Sequence, residues 1–238
     1  MDRRGFIKIC GGTAALAGLQ ATYLETICAA EVKSFNRVKL VDEQGNPLKA
    51  AQLTKEEAYI FHYPYRSTPC FLINLAAKPA EAMTMQADDG DYKWPGGIGP
   101  NGALVSYSAI CAHQLSYPSK EHSPIHYTGK TRSALAGGAG MIVCCEHERV
   151  YDPSQGGKMV VTTKEATQPL LATVIEHDPA TDEIYATGVA GGLLYDEFFR
   201  SYKRVLLAEY GPGGAKTEVA DTAPAVLMSK FTGGIDQC

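Results

Sequence analysis

Two short boxes constrain this chain more than any other feature: Cys111-Ala112-His113 and Cys144-Cys145-Glu146-His147. Each follows an apolar run, Ala103 to Ile110 and Met141 to Val143, that reads as a β-strand. Each box therefore puts a thiol and an imidazole at a strand tip, where a loop can fold back over a metal. One thiolate and one imidazole from each loop make four N/S donors, a set suited to zinc or iron. The chain has 7 Cys in 238 residues. The number is odd and the chain is too long to need a disulfide scaffold, so at least one thiol is free or metal-bound. A fold that uses both boxes must bring them together across residues 114–143.

The rest of the mature chain reads as β. With 24 Gly, 13 Pro and 13 Tyr but one Trp, the composition favours many short strands and turns over long helices. Phe35 to Val41 alternates and closes at Gln44-Gly45-Asn46-Pro47, and Ala58 to Tyr63 and Cys70 to Leu75 are further strands. Lys158 to Thr162 is β-branched, and Leu170 to Glu176 with Glu183 to Val189 predicts a hairpin around Asp178-Pro179-Ala180-Thr181-Asp182. Only Asp196 to Glu209 has helical spacing, and the segment after Gly211 reads as an extended arm. The 22 basic residues against 26 acidic ones give a net charge of −4, which argues against a nucleic-acid partner.

The first residues read as an address. Arg3-Arg4-Gly5-Phe6-Ile7-Lys8 precedes a weakly apolar run from Ile9 to about Ala30. This is similar to a twin-arginine export signal, with small residues for cleavage at Cys28-Ala29-Ala30. Glu25 and many small residues make the run a poor membrane span. The expectation is export to the periplasm, with an uncleaved segment as a possible anchor to the outer face of the inner membrane.

Two metals suit the four donors. A structural zinc would take two Cys and two His, but zinc sites usually draw both Cys from one loop and both His from another. In a Rieske [2Fe-2S] centre two Cys hold one iron and two His the other, and Cys-x-His followed by Cys-x-x-His is that order. From Trp94 to Phe199 the chain resembles the Rieske subunit of arsenite oxidase, the small subunit of a molybdenum enzyme. The matching pieces are Gly96-Gly97-Ile98-Gly99-Pro100, Val105-Ser106-Tyr107-Ser108, the two boxes, Tyr151-Asp152, Gly157-Lys158-Met159 and Thr187-Gly188-Val189. Tyr63-Pro64-Tyr65 and Thr68-Pro69-Cys70-Phe71 extend the likeness.

The resemblance implies an all-β fold of stacked antiparallel sheets or a small barrel, with a C-terminal helix and an extended tail. It divides the chain into a signal segment 1–30, a Rieske-type domain 31–195 with its cluster-binding subdomain at about 105–160, and a helix and arm 196–238. It assigns Cys111 and Cys144 to one iron, His113 and His147 to the other, and Tyr151 to a hydrogen bond with a ligand sulfur. It also implies where the chain departs from its relatives. A disulfide that braces the two loops in many Rieske domains would need Cys at 116 and 146, where this chain has Ser116 and Glu146. A Ser that donates to the cluster in high-potential members is replaced by Arg149. These losses place the expected potential in the middle or lower part of the Rieske range of about −150 to +300 mV.

The function implied is electron transfer, with no substrate chemistry in this chain. Its partners would be a larger, molybdopterin-containing catalytic subunit and a small carrier such as a cytochrome c. A quinol–cytochrome Rieske protein would need a firmer membrane helix. A ring-hydroxylating oxygenase would need a second iron domain for which too little chain remains. A zinc-stabilised binding module would be colourless where a Rieske protein is red-brown. Outside the boxes, His122 and His126 are expected as exposed loop residues, with Pro124 between them weakening any helix, and His62 and His177 as ordinary polar residues. Cys70 is expected as a core thiol, Met83 and Met85 in a polar loop, and Cys238 either free or paired with another chain.

Overall fold

The run Cys70-Phe71-Leu72-Ile73 has no polar face, and the architecture uses both of its sides. The computed structural model describes residues 32–76, 80–87, 90–160, 168–190 and 194–238; the expected export signal lies outside them. In chain order the elements are β1 (Lys33–Val41), β2 (Ala58–His62), β3 (Pro69–Asn74), β4 (Met83–Met85), β5 (Tyr92–Trp94) and β6 (Leu104–Ser108). There follow β7 (Ile125–Tyr127), β8 (Ile142–Cys144), β9 (Arg149–Asp152), β10 (Lys158–Met159), β11 (Ala172–Asp178) and β12 (Glu183–Ala190). The chain ends with α1 (Leu194–Ser201), α2 (Lys203–Tyr210), β13 (Thr222–Pro224), β14 (Val226–Leu227) and the single turn α3 (Met228–Phe231).

Eight strands form one sheet in the order β13-β1-β12-β11-β6-β3-β2-β14. Its two edge strands are separated in sequence by Ala225 alone, whose N–H bonds the Val41 carbonyl at 2.8 Å. The chain thus steps from one edge of the sheet to the other, and the sheet is nearly closed into a barrel, which leaves little open edge. A second sheet, β10-β9-β8-β7, stands against the barrel, and β4 pairs with β5.

Side chains alternate across a strand, so β3 serves two cores. Cys70 and Leu72 face the barrel interior with Leu40, Phe61, Ile184 and Phe198. Phe71 and Ile73 face outward and pack with Ile125, Ile142 and Tyr151 of the small sheet. That second core is what seats the small sheet on the barrel, and both box cysteines, Cys111 and Cys144, lie in it.

The hairpin of β11 and β12 forms as the sequence predicts. Asp178 closes its turn by accepting from the Ala180 N–H at 2.9 Å and the Thr181 hydroxyl at 3.0 Å. The predicted single helix 196–209 is two helices broken at Tyr202, whose ring packs on Tyr117 at 4.8 Å between centroids. The segment after Gly211 is extended in two short strands, as expected. It supplies both barrel edge strands, because Ala223 and Ala225 are buried in the barrel core.

On the barrel surface, Glu183 gathers Lys39 at 2.8 Å, Lys49 at 3.4 Å and the Tyr185 hydroxyl at 2.6 Å. These donors, Lys39 foremost, hold its carboxyl at about 2 against an ordinary 4.5. A depressed carboxyl adds stability that is fully present above its unfolded value and is lost as pH falls through the folded one. Glu183→Gln should therefore lose less stability than the native protein between pH 4.5 and 2, as read from denaturation midpoints across that window.

Candidate metal centre

The first box sits on a turn that closes on itself. Beyond β6, the Ala109 N–H bonds the Pro69 carbonyl at 2.8 Å and holds the strand end to the barrel. The Cys111 N–H then bonds the Ser116 carbonyl at 2.8 Å, and the Leu115 N–H returns to the Cys111 carbonyl at 2.9 Å. Leu115 takes a φ of 67° to make this reversal. Cys111 is buried inside the turn and His113 is exposed on it.

The second box is the tip of the β8–β9 hairpin. Cys144 pairs with Arg149, and Glu148 turns the chain at a φ of 51°. The Cys145 N–H bonds the Pro124 carbonyl at 2.8 Å, which ties the tip to the segment entering β7. Cys144 is buried and His147 half-buried.

The fold brings the boxes together. One donor atom each from Cys111, Cys144 and His147 lie within 4.8 Å of one another. His113 stands outside this tight group, with its ring centroid 5.6 Å from that of His147. The two cysteines are fully buried, whereas His113 is exposed and His147 half-buried. The two thiols are close neighbours, and this proximity lowers the pKa of Cys111 while it raises that of Cys144. The Tyr151 hydroxyl lies 3.4 Å from Cys111 Sγ with its side chain fully buried. Burial first, then the Cys111 charge, pushes the phenol far up, so it stays protonated.

Ser116 and Glu146, where the family resemblance places a bracing disulfide, are joined by a hydrogen bond from Ser116 Oγ to the Glu146 carboxylate. Ser116 Oγ also lies 2.9 Å from His147 Nδ1. Arg149 turns to the imidazole side. Its Nη1 donates to the His147 carbonyl at 3.1 Å, and its Nη2 donates to His113 Nε2 at 3.3 Å.

Several expectations outside the boxes change. His126 is not an exposed loop residue. It lies buried on β7, because residues 125–127 pair with β8 and close the small sheet. His122 is exposed as expected and lies 3.3 Å from Asp236. Met83 and Met85 belong to β4, and Met85 is buried against the second core. His62 lies on β2, where burial lowers its pKa to about 4, and His177 bonds Asp182 at 2.7 Å. Cys70 is the expected core thiol, raised to about 12 by burial. Cys238 is neither free nor paired with another chain: it forms a disulfide with Cys145 across 93 positions. The sequence marked both cysteines only by their number, with no spacing to join them.

Two buried sulfurs and two imidazoles thus meet on loops from a nearly closed β-barrel and a small sheet, a set of N/S donors that can hold iron. The donor set is compatible with a [2Fe-2S] cluster of the Rieske type. No family model matches the sequence. Among solved structures, the chain is similar to the soluble domain of the Rieske protein II (soxF) from Sulfolobus acidocaldarius. That match has 22% identity and a TM-score of 0.46, and covers 66% of this chain and 81% of that one.

Proposed function

We propose that this protein is a one-electron carrier that holds a Rieske-type [2Fe-2S] cluster, with Cys111 and Cys144 on one iron and His113 and His147 on the other. The observation that carries this reading is the convergence of the two boxes, with both cysteines buried, His113 exposed and His147 half-buried. The cluster supplies reversible one-electron chemistry when bound. The chain's own residues do the rest. The second core keeps water from the sulfurs, Tyr151 directs a hydroxyl at Cys111, and His113 presents its ring to solvent where a partner can approach. Purified protein should contain about two irons and two acid-labile sulfides per chain. One zinc and no sulfide would overturn the assignment.

The finer reading is an exported small subunit that passes electrons between a molybdopterin-containing catalytic subunit, similar to that of arsenite oxidase, and a carrier such as a cytochrome c. The sequence likeness from Trp94 to Phe199 and the Arg3-Arg4 segment support it. Among the described residues no helix is long and apolar enough to cross a membrane. Changing Arg3 and Arg4 together to Lys should trap the protein in the cytoplasm. Unaltered delivery to the periplasm in a fractionation experiment would count against twin-arginine export.

A further inference from the structure

The C-terminal arm ends one residue from a proposed ligand, and its course is defined by a continuous set of contacts. It leaves the barrel edge at β14, which pairs with β2, and is seated by Met228 and Phe231 in the second core. It then runs beside the segment that links the two boxes. The Gly233 N–H bonds the Lys120 carbonyl at 2.8 Å, the Ser123 N–H bonds the Gly234 carbonyl at 2.8 Å, and the Asp236 N–H bonds the Ser123 carbonyl at 3.1 Å. At its end, the Cys238 carbonyl oxygen accepts from Ser133 Oγ at 2.8 Å and from the Ala134 N–H at 3.0 Å. The Cys145–Cys238 disulfide closes the circuit.

The second box needs an outside anchor. Its hairpin stands on a sheet whose strands run from two to four residues, and strands that short hold a loop tip weakly. Consecutive side chains at this tip are committed to different neighbours. Cys144 is buried in the site, Cys145 is bonded outward to the arm, Glu146 holds Ser116 of the first loop, and His147 returns to the site.

We propose that residues 228–238 form a strap that positions the second ligand loop, with Cys145 and Cys238 as positioning residues and the Ser116–Glu146 hydrogen bond as the facing tie. The strap links the hairpin tip covalently to a segment rooted in the barrel, so the tip cannot lift from the first loop without unzipping the arm. Its role toward the cluster rests on the function proposed above; its effect on the hairpin does not. An intramolecular disulfide at this place also suits a protein that works in an oxidising compartment.

The test uses the full-length Cys145→Ser/Cys238→Ser variant, which leaves no stray thiol beside Cys144. In metal-free protein, hydrogen exchange at the amides of residues 142–151 should quicken about tenfold or more, through a local opening that leaves the amides of β3 and β6 protected until the whole chain unfolds. In protein carrying iron and sulfide, a ferrous chelator should bleach the visible absorbance of the variant faster by a similar factor, and its electron paramagnetic resonance lines should broaden. Unchanged hairpin exchange would overturn the strap. If native protein takes up no iron–sulfur cluster, the functional reading falls, and the exchange rates still decide the strap. Should the variant not fold, native metal-free protein is treated with a water-soluble phosphine. This becomes a phosphine oxide with oxygen from water as the two sulfurs gain two electrons and two protons. The same exchange criterion then applies.

Discussion

Cys144→Ala is expected to abolish the cluster, whereas Cys145→Ala, one residue on, is expected to leave it bound. The two side chains leave the hairpin in opposite directions. Cys144 is fully buried, and its sulfur groups with those of Cys111 and His147, while Cys145 is spent in the bond to Cys238. Without Cys144, one iron would have a single protein thiolate, and the buried pocket would offer no second soft donor. That variant should be purified colourless, with neither iron nor acid-labile sulfide. Cys145→Ala should keep full iron and sulfide as purified and lose stability instead. Opening a disulfide across 93 positions removes a constraint on the unfolded chain that typically amounts to about 2–4 kcal/mol. Denaturant melts of the metal-free proteins read this directly. A colourless Cys145→Ala protein beside a coloured Cys144→Ala protein would exchange the roles of the two cysteines.

The sequence makes the site more legible than the frame that supports it. The boxes are local, and their order and their places after apolar strands already pair Cys111 with Cys144. The long strands are legible for the same reason, since β1, β3, β11 and β12 are long enough to show alternation or a continuous apolar run. The failures fall where the determinant is not local. β13 and β14 have three and two residues, too short for any period, and they exist because β1 and β2 offer them edges. His126 reads as a loop residue because Pro124 excludes a helix, but pairing with Val143 turns it into a buried strand residue. Nothing in the chain near Cys145 points to Cys238, because only the folded course of the arm brings them together. Ser116 and Glu146 read as a missing brace, since a sequence comparison registers the lost disulfide but not the hydrogen bond that occupies the same two positions.

Tyr151→Phe is expected to lower the reduction potential of the cluster by roughly 65–130 mV. That range is the loss of one hydrogen bond to a charged group, about 1.5–3 kcal/mol, at about 59 mV for each tenfold change in a one-electron equilibrium. The hydroxyl lies 3.4 Å from Cys111 Sγ. A sulfur bound to iron has no proton to give, so the phenol must be the donor. Burial raises its pKa far above the ordinary tyrosine value, so it remains a donor at any pH at which the protein works. A donor aimed at a ligand sulfur stabilises the extra electron of the reduced state, and its removal favours the oxidised one. Arg149 does not offset this loss, because its guanidinium lies against His113 and the carbonyls of His147 and Glu148. Ser116 is committed to Glu146. The phenylalanine fills the same buried space, so the fold and the iron content should not change. A redox titration that gives the variant the native potential, at full iron content, would remove Tyr151 from the control of this centre.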